Sequence, residues 1–184
     1  VAAAARLGPR IPDSPPLNGQ RNHQHRDEDR HVAGIGEERE RLRIESVDET
    51  HWQPLFDTMR RRLRPGARAA MQVITIEDAA WERYRTRADF IQQYIFPGGM
   101  LPTVEVLRRL SREAGMVWRS EASHGPDYAE TLRRWAERFD AAWPSIVGDD
   151  PVFDEPFRRM WRYYLEYCEA GFRTGRIDGV QFVI

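Results

Sequence analysis

Three polar side chains stand in apolar or turn-forming surroundings, and these are the positions at which the sequence could do chemistry. Gln72 lies in the middle of the run AAMQVITI, Ala69 to Ile76. A carboxamide buried there must find hydrogen-bond partners or costs about 1–3 kcal/mol. It serves either a bound ligand or simply the neighbouring backbone and water. Glu45 follows Ile44 and precedes a helical pattern. Its carboxylate belongs either to the C-terminal edge of a strand, where α/β folds bind ligands, or to an ordinary helix N-terminus. Tyr128 comes directly after the turn Gly125-Pro126-Asp127, on the apolar face of the helix that begins there. It is either core packing or a phenol whose hydroxyl needs a partner. A fourth feature is apolar: Tyr94, Phe96 and Met100 flank the flexible Gly98-Gly99 pair. They suit the wall of an apolar ligand site, and core packing plus a turn accounts for them nearly as well.

The elements that must position these residues are legible as periodicities. Leu55, Phe56, Met59 and Leu63 recur at helical spacing, and Pro65-Gly66 stops that helix. The following run, Ala69 to Ile76, is of strand length and nearly continuously apolar, which suits a strand covered on both faces in a largely parallel sheet. Val104, Leu107, Leu110 and Ala114 predict a helix ending at Gly115, and Met116 to Glu121 a strand. Tyr128, Leu132, Trp135, Phe139, Ala142 and Ile146 line a long helix that Asp127 is able to cap. Phe157 through Phe172 line another, ended by Gly175, and Val180 to Ile184 predict a closing strand. Together these predict an α/β domain.

Residues 1–43 differ in character. Pro9, Pro12, Pro15 and Pro16 break any helix, and the polar tract from Asn18 to His31 cannot bury enough surface to offset chain entropy, so disorder is expected there. His23, His25 and His31 lack any scaffold of further ligands, and no metal site is expected. All 28 basic residues are arginine and are balanced by 29 acidic ones, which gives no overall electrostatic case for nucleic acid. A single cysteine, Cys168, excludes an intrachain disulfide and makes a reducing cytoplasm the default expectation. No apolar run is of membrane-spanning length, so membrane contact is expected to be peripheral, at the inner face.

Longer stretches carry a resemblance. FIQQYIFPGGMLP (Phe90 to Pro102), GPDYAETLRRWAERFDAAW (Gly125 to Trp143) and MWRYYLEYCEAGFRTGRIDGVQFVI (Met160 to Ile184) resemble cyclopropane-fatty-acyl-phospholipid synthases. RRLRPGARAAMQVITI is similar to the helix end and fifth strand of that family's class I, Rossmann-like methyltransferase fold. The resemblance covers residues 44–184 and implies the C-terminal part of the catalytic domain, an incomplete sheet with helical insertions. It also implies methyl transfer from S-adenosylmethionine to the cis double bond of unsaturated phospholipid acyl chains, with a bound bicarbonate accepting the proton lost as the cyclopropane closes. By motif, Glu45, Ile74 and Tyr128 match bicarbonate-site positions, and Gln72 falls where many relatives have His. Tyr94, Phe96 and Met100 are expected to line the acyl site.

The sequence also departs from that pattern. The family's glycine-rich cofactor loop, its ribose-binding acid and its upstream active-site cysteine have no counterpart in the residues given, and each would belong before Ile44. The expectations are therefore an enzyme by family, inactive as this chain, or else a catalytically dead remnant that binds acyl chains or a partner. Exposed sheet edges would favour pairing of two copies.

Overall fold

The computed structural model describes residues 44, 48–147 and 150–184. Both the disorder expected of residues 1–43 and the position of Glu45 lie outside the described residues. Three strands form one sheet, β1 (Ala70–Ile76), β2 (Ser120–Ser123) and β3 (Ile177–Val183), in the order β1-β3-β2. Both pairings are antiparallel, with Gln72 opposite Gln181, Ile74 opposite Gly179 and Ser123 opposite Val180. The expected parallel arrangement is thus corrected for the described strands. β1 and β2 do run in the same direction, but β3 returns between them. An apolar run specifies burial, not the direction of its neighbour.

Helices cover both faces of the sheet. Strand alternation sends Val73, Val180 and Phe182 to one face, where they pack with Trp52 and Phe56 of α1 (Trp52–Arg62) and Leu107 and Leu110 of α3 (Val104–Glu113). On the other face, Ile74 and Ile177 pack with Leu132 and Ala136 of α4 (Gly125–Ile146) and Leu165 and Phe172 of α5 (Glu155–Arg173). The short helix α2 (Trp81–Thr86) follows β1 and stacks Trp81 toward Trp52 at 5.9 Å.

Local chemistry sets the boundaries. Gly115 and Gly175 adopt φ of +72° and +73° just past α3 and α5, the left-handed stop that glycine makes without strain. α5 is capped by the Asp154 carboxylate, which accepts from the Phe157 N–H at 2.8 Å. α4 starts without a side-chain cap, since Asp127 sits inside the first turn beside His124 rather than before it. Thr103 caps α3 through its hydroxyl, accepting from the Val106 N–H at 3.2 Å, and is itself buried. Thr103→Ala should lower stability by about 0.5–2 kcal/mol, seen as an earlier urea midpoint with an unchanged slope.

Candidate active site

Tyr128 is held at one fixed place above the sheet. It occupies the first turn of α4, its ring stacks on Phe172 with centroids 5.0 Å apart, and its edge lies flat against Gly179 of β3. A Cβ at Gly179 would stand 2.5 Å from a carbon of that ring, so the strand must be bare there for the tyrosine to settle. The turn leading into α4 is fixed from the same strand. Asp178 accepts a hydrogen bond from the Ser123 hydroxyl and lies beneath Gly125, where an added Cβ would come within 2.9 Å of its carboxylate oxygen. The positive end of the helix favours a carboxylate at that point.

The phenol meets β1 at Gln72. The carboxamide nitrogen of Gln72 donates to the Tyr128 hydroxyl oxygen, and its carbonyl oxygen accepts from the Gln181 amide at 2.9 Å. Gln181, Gln72 and Tyr128 thus form one chain of donors pointing the same way. With its oxygen accepting from Gln72, the phenol keeps its own proton to donate. Ile74, two residues along β1 on the same face, packs against the cluster that includes Tyr128.

Three of the four expected site positions are therefore neighbours across long sequence separations. One expectation is corrected: Gln72 is exposed rather than buried, and its partners are side chains rather than backbone. The site consequently opens to the surface. Two shallow concavities of about 190 Å³ and 180 Å³ lie elsewhere, and neither is lined by Gln72 or Tyr128.

The proposed apolar wall divides. Ile91–Ile95 forms a π-helical turn, closed by the Phe96 N–H donating to the Ile91 carbonyl at 2.8 Å. Tyr94 and Phe96 are each 52% exposed; Phe96 meets Tyr164 of α5 edge-on at 6.3 Å. Met100 instead packs with the cluster on the opposite face of the sheet. The segment is anchored at Phe90, which contacts Tyr163 at 4.6 Å, and at Asp89, which accepts from the Tyr167 hydroxyl at 3.1 Å. Burial, with the Asp89 charge added, pushes the Tyr167 phenol up to about 12. The same causes push the Cys168 thiol up to about 12, so it is neutral and poorly nucleophilic near pH 7. Gln181 and Gly179 carry no periodicity signal. The closing strand begins at Ile177 rather than at the expected Val180, which brings Gly179 inside it, where a glycine marks a point of close approach.

The sequence profile described as mycolic acid cyclopropane synthetase matches residues 41–182. This chain belongs to that family. Relatives of the cyclopropane synthetase family include a tuberculostearic acid methyltransferase of Mycobacterium tuberculosis, 39% identical over 142 residues, or 77% of this chain and 33% of that protein. A cyclopropane-fatty-acyl-phospholipid synthase of Escherichia coli is 42% identical over 94 residues, 51% of this chain and 24% of that one. The chain thus spans about a third or less of the curated relatives it matches. Among solved structures, a cyclopropane synthase from Mycobacterium tuberculosis superposes with a TM-score of 0.64 at 25% identity, over 76% of this chain and 51% of that one. A mycolic acid cyclopropane synthase complexed with S-adenosylhomocysteine and a cationic detergent gives 0.59 at 26% identity, over the same shares. The fold is that of the S-adenosylmethionine-dependent methyltransferases.

Proposed function

We propose that this chain supplies the proton-accepting half of a cyclopropane-forming methyltransferase acting on unsaturated phospholipid acyl chains at a membrane surface. The observation that carries the reading is the Gln181–Gln72–Tyr128 donor chain. It offers a phenol proton, on an apolar flank formed by Ile74, to a small anion such as bicarbonate. Such directed donors are what a base needs to be held beside a developing carbocation. In this reading Glu45 completes the site by accepting a hydrogen bond from the hydroxyl of the same anion.

S-adenosylmethionine supplies the methyl group in this family's chemistry. The described residues do not hold it: none of the three described strands runs into a glycine-rich turn that opens a helix. No step is therefore assigned to these residues in holding the donor, and the 184-residue chain alone is proposed to be inactive. Among the described residues no helix is long and apolar enough to cross a membrane, so membrane contact is proposed to be peripheral, at the cytoplasmic face. The edge of β1 away from β3 carries no strand among the described residues and is the proposed edge for pairing two copies. The exposed rings of Tyr94 and Phe96 favour a second reading, an inactive module that binds acyl chains.

The test is incorporation of labelled methyl into unsaturated phospholipid. The chain alone should give none, and a version joined to the remaining segments of its tuberculostearic relative should turn over. In that version Tyr128→Phe should lower turnover by about a hundredfold to a thousandfold, the range for one lost hydrogen-bond donor to a charge-stabilising site, and should abolish the response to added bicarbonate. Turnover of the Phe variant within twofold of the parent would sink the anion-site assignment.

A further inference from the structure

The segment from Arg60 to Arg68 holds five arginines in nine positions, Arg60, Arg61, Arg62, Arg64 and Arg68, and no acidic residue. All five are exposed, and among the described residues none is paired with a carboxylate. Arg83, Arg87 and Arg112 are also without a carboxylate partner among the described residues, but no other nine-residue stretch gathers so many arginines. On α4 and α5 every arginine except Arg138 pairs with an Asp or Glu. The acid nearest in sequence, Asp57, is occupied by the Gln53 amide at 2.9 Å, and Arg61 reaches only the Thr58 hydroxyl, at 2.7 Å.

The fold adds a sixth cation. Ala69 exchanges hydrogen bonds with Ile184, and the Arg119 N–H donates to the Val183 carbonyl at 2.9 Å. Arg68 and Arg119 therefore flank the same end of β3 from its two neighbouring strands, and Arg119 is likewise exposed and without an ion pair among the described residues. The C-terminal turn of α1, the turn at Pro65-Gly66 and the start of β1 follow one another along the chain and carry five exposed arginines, with Arg119 beside the last of them, on a chain whose formal net charge is -1.

We propose that this corner docks on the phosphate layer of an anionic lipid bilayer. Guanidinium groups bind phosphate oxygens through two parallel donors, and clustered arginines near an anionic surface add binding roughly one residue at a time. A nucleic-acid partner is less well matched, because residues 60–68 contain no aromatic side chain on which a base could stack. A protein partner is less well matched too, because none of the large exposed apolar side chains lies in that segment to form the centre of an interface. Val117, 64% exposed two residues before Arg119, is the one such side chain at the margin and suits shallow insertion among headgroups. The proposal rests on the lipid-surface reading only for its choice of occupant, and it is measured without catalysis.

The experiment is co-sedimentation of the 184-residue protein with vesicles of phosphatidylcholine alone or mixed with phosphatidylglycerol. Binding should appear only with the anionic lipid and fall as sodium chloride is raised. The variant R60Q/R61Q/R62Q should bind about a hundredfold more weakly, about fivefold per arginine. A control that removes equal charge elsewhere, R133Q/R134Q/R173Q, should stay within about twofold of the parent, because those charges are already neutralised by carboxylates. Should the triple variant not fold, R64Q/R68Q carries the test with an expected loss of about 25-fold. Equal binding to the neutral vesicles, equal loss in the control, or displacement from vesicles by a single-stranded RNA at lower concentration than by soluble phosphatidylglycerol would each overturn the proposal.

Discussion

Phe56→Ala is expected to lower the unfolding free energy by about 3–5 kcal/mol. Phe56 is 0% exposed, and it belongs to the cluster where α1 closes over Val73 of β1, Phe182 of β3 and Leu107 of α3. Truncation removes a ring from a site whose neighbours are held by separate elements. The sheet fixes Val73 and Phe182, and the Thr103 cap fixes α3, so the space collapses poorly and the cavity cost adds to the lost transfer energy. A domain of this size is held by about 5–15 kcal/mol in total, so the loss is a large share of its stability. Urea unfolding followed by tryptophan fluorescence reads it directly. A change below 1 kcal/mol would mean that α1 does not close this face in solution.

Gly179→Val is expected to act at both the fold and the site. The added Cβ would meet the Tyr128 ring at 2.5 Å, and the ring cannot retreat easily because Phe172 stacks on it at 5.0 Å. Overpacking of this kind costs about 1–3 kcal/mol, occasionally more, and a displaced ring also gives up the hydrogen bond from Gln72. Methyl transfer by the restored enzyme should fall at least as far as in Tyr128→Phe. A double-mutant cycle separates this clash from general damage to β3. Tyr128→Ala placed in the Gly179→Val background should cost less than Tyr128→Ala alone, because the valine then has room. Additive costs would show that the glycine is required for some other reason.

Much of the architecture was legible because its signals are local. The stripes of α3, α4 and α5 and the glycine stops at 115 and 175 are read from spacing and turn chemistry, and the structure places helices there. Strand pairing was not legible, since Val73 and Ile76 are equally apolar whether the neighbouring strand runs parallel or antiparallel. The environment of Gln72 was misread for a related reason. The strand is buried only from Val73 onward, while Ala70 and Gln72 are exposed at its beginning, and a run of apolar letters does not show where its covering helices begin. Tyr128 was singled out by its turn and helix face, and Ile74 through motif resemblance. Gln181 was missed because nothing in FVI-type strand ends marks one polar residue as the cross-strand partner of another. Met100 was grouped with Tyr94 and Phe96 by proximity in sequence, and the Gly98 turn at φ +83° sends it to the opposite side.

Placing β3 between β1 and β2 has a consequence for the order in which the domain can be made. Among the described residues, a nascent chain that has emerged as far as α5 holds two strands that do not pair with each other, separated by the width of one that has yet to appear. The apolar faces of α1, α3, α4 and α5 then have only half a floor. Helices form from local contacts as they leave the ribosome, but the long-range pairing of these three strands, the slow part of folding, must wait for residues 177–183. Until then two open strand edges are available to neighbouring chains, so the interval between synthesis of β1 and of β3 is when this domain most needs a chaperone.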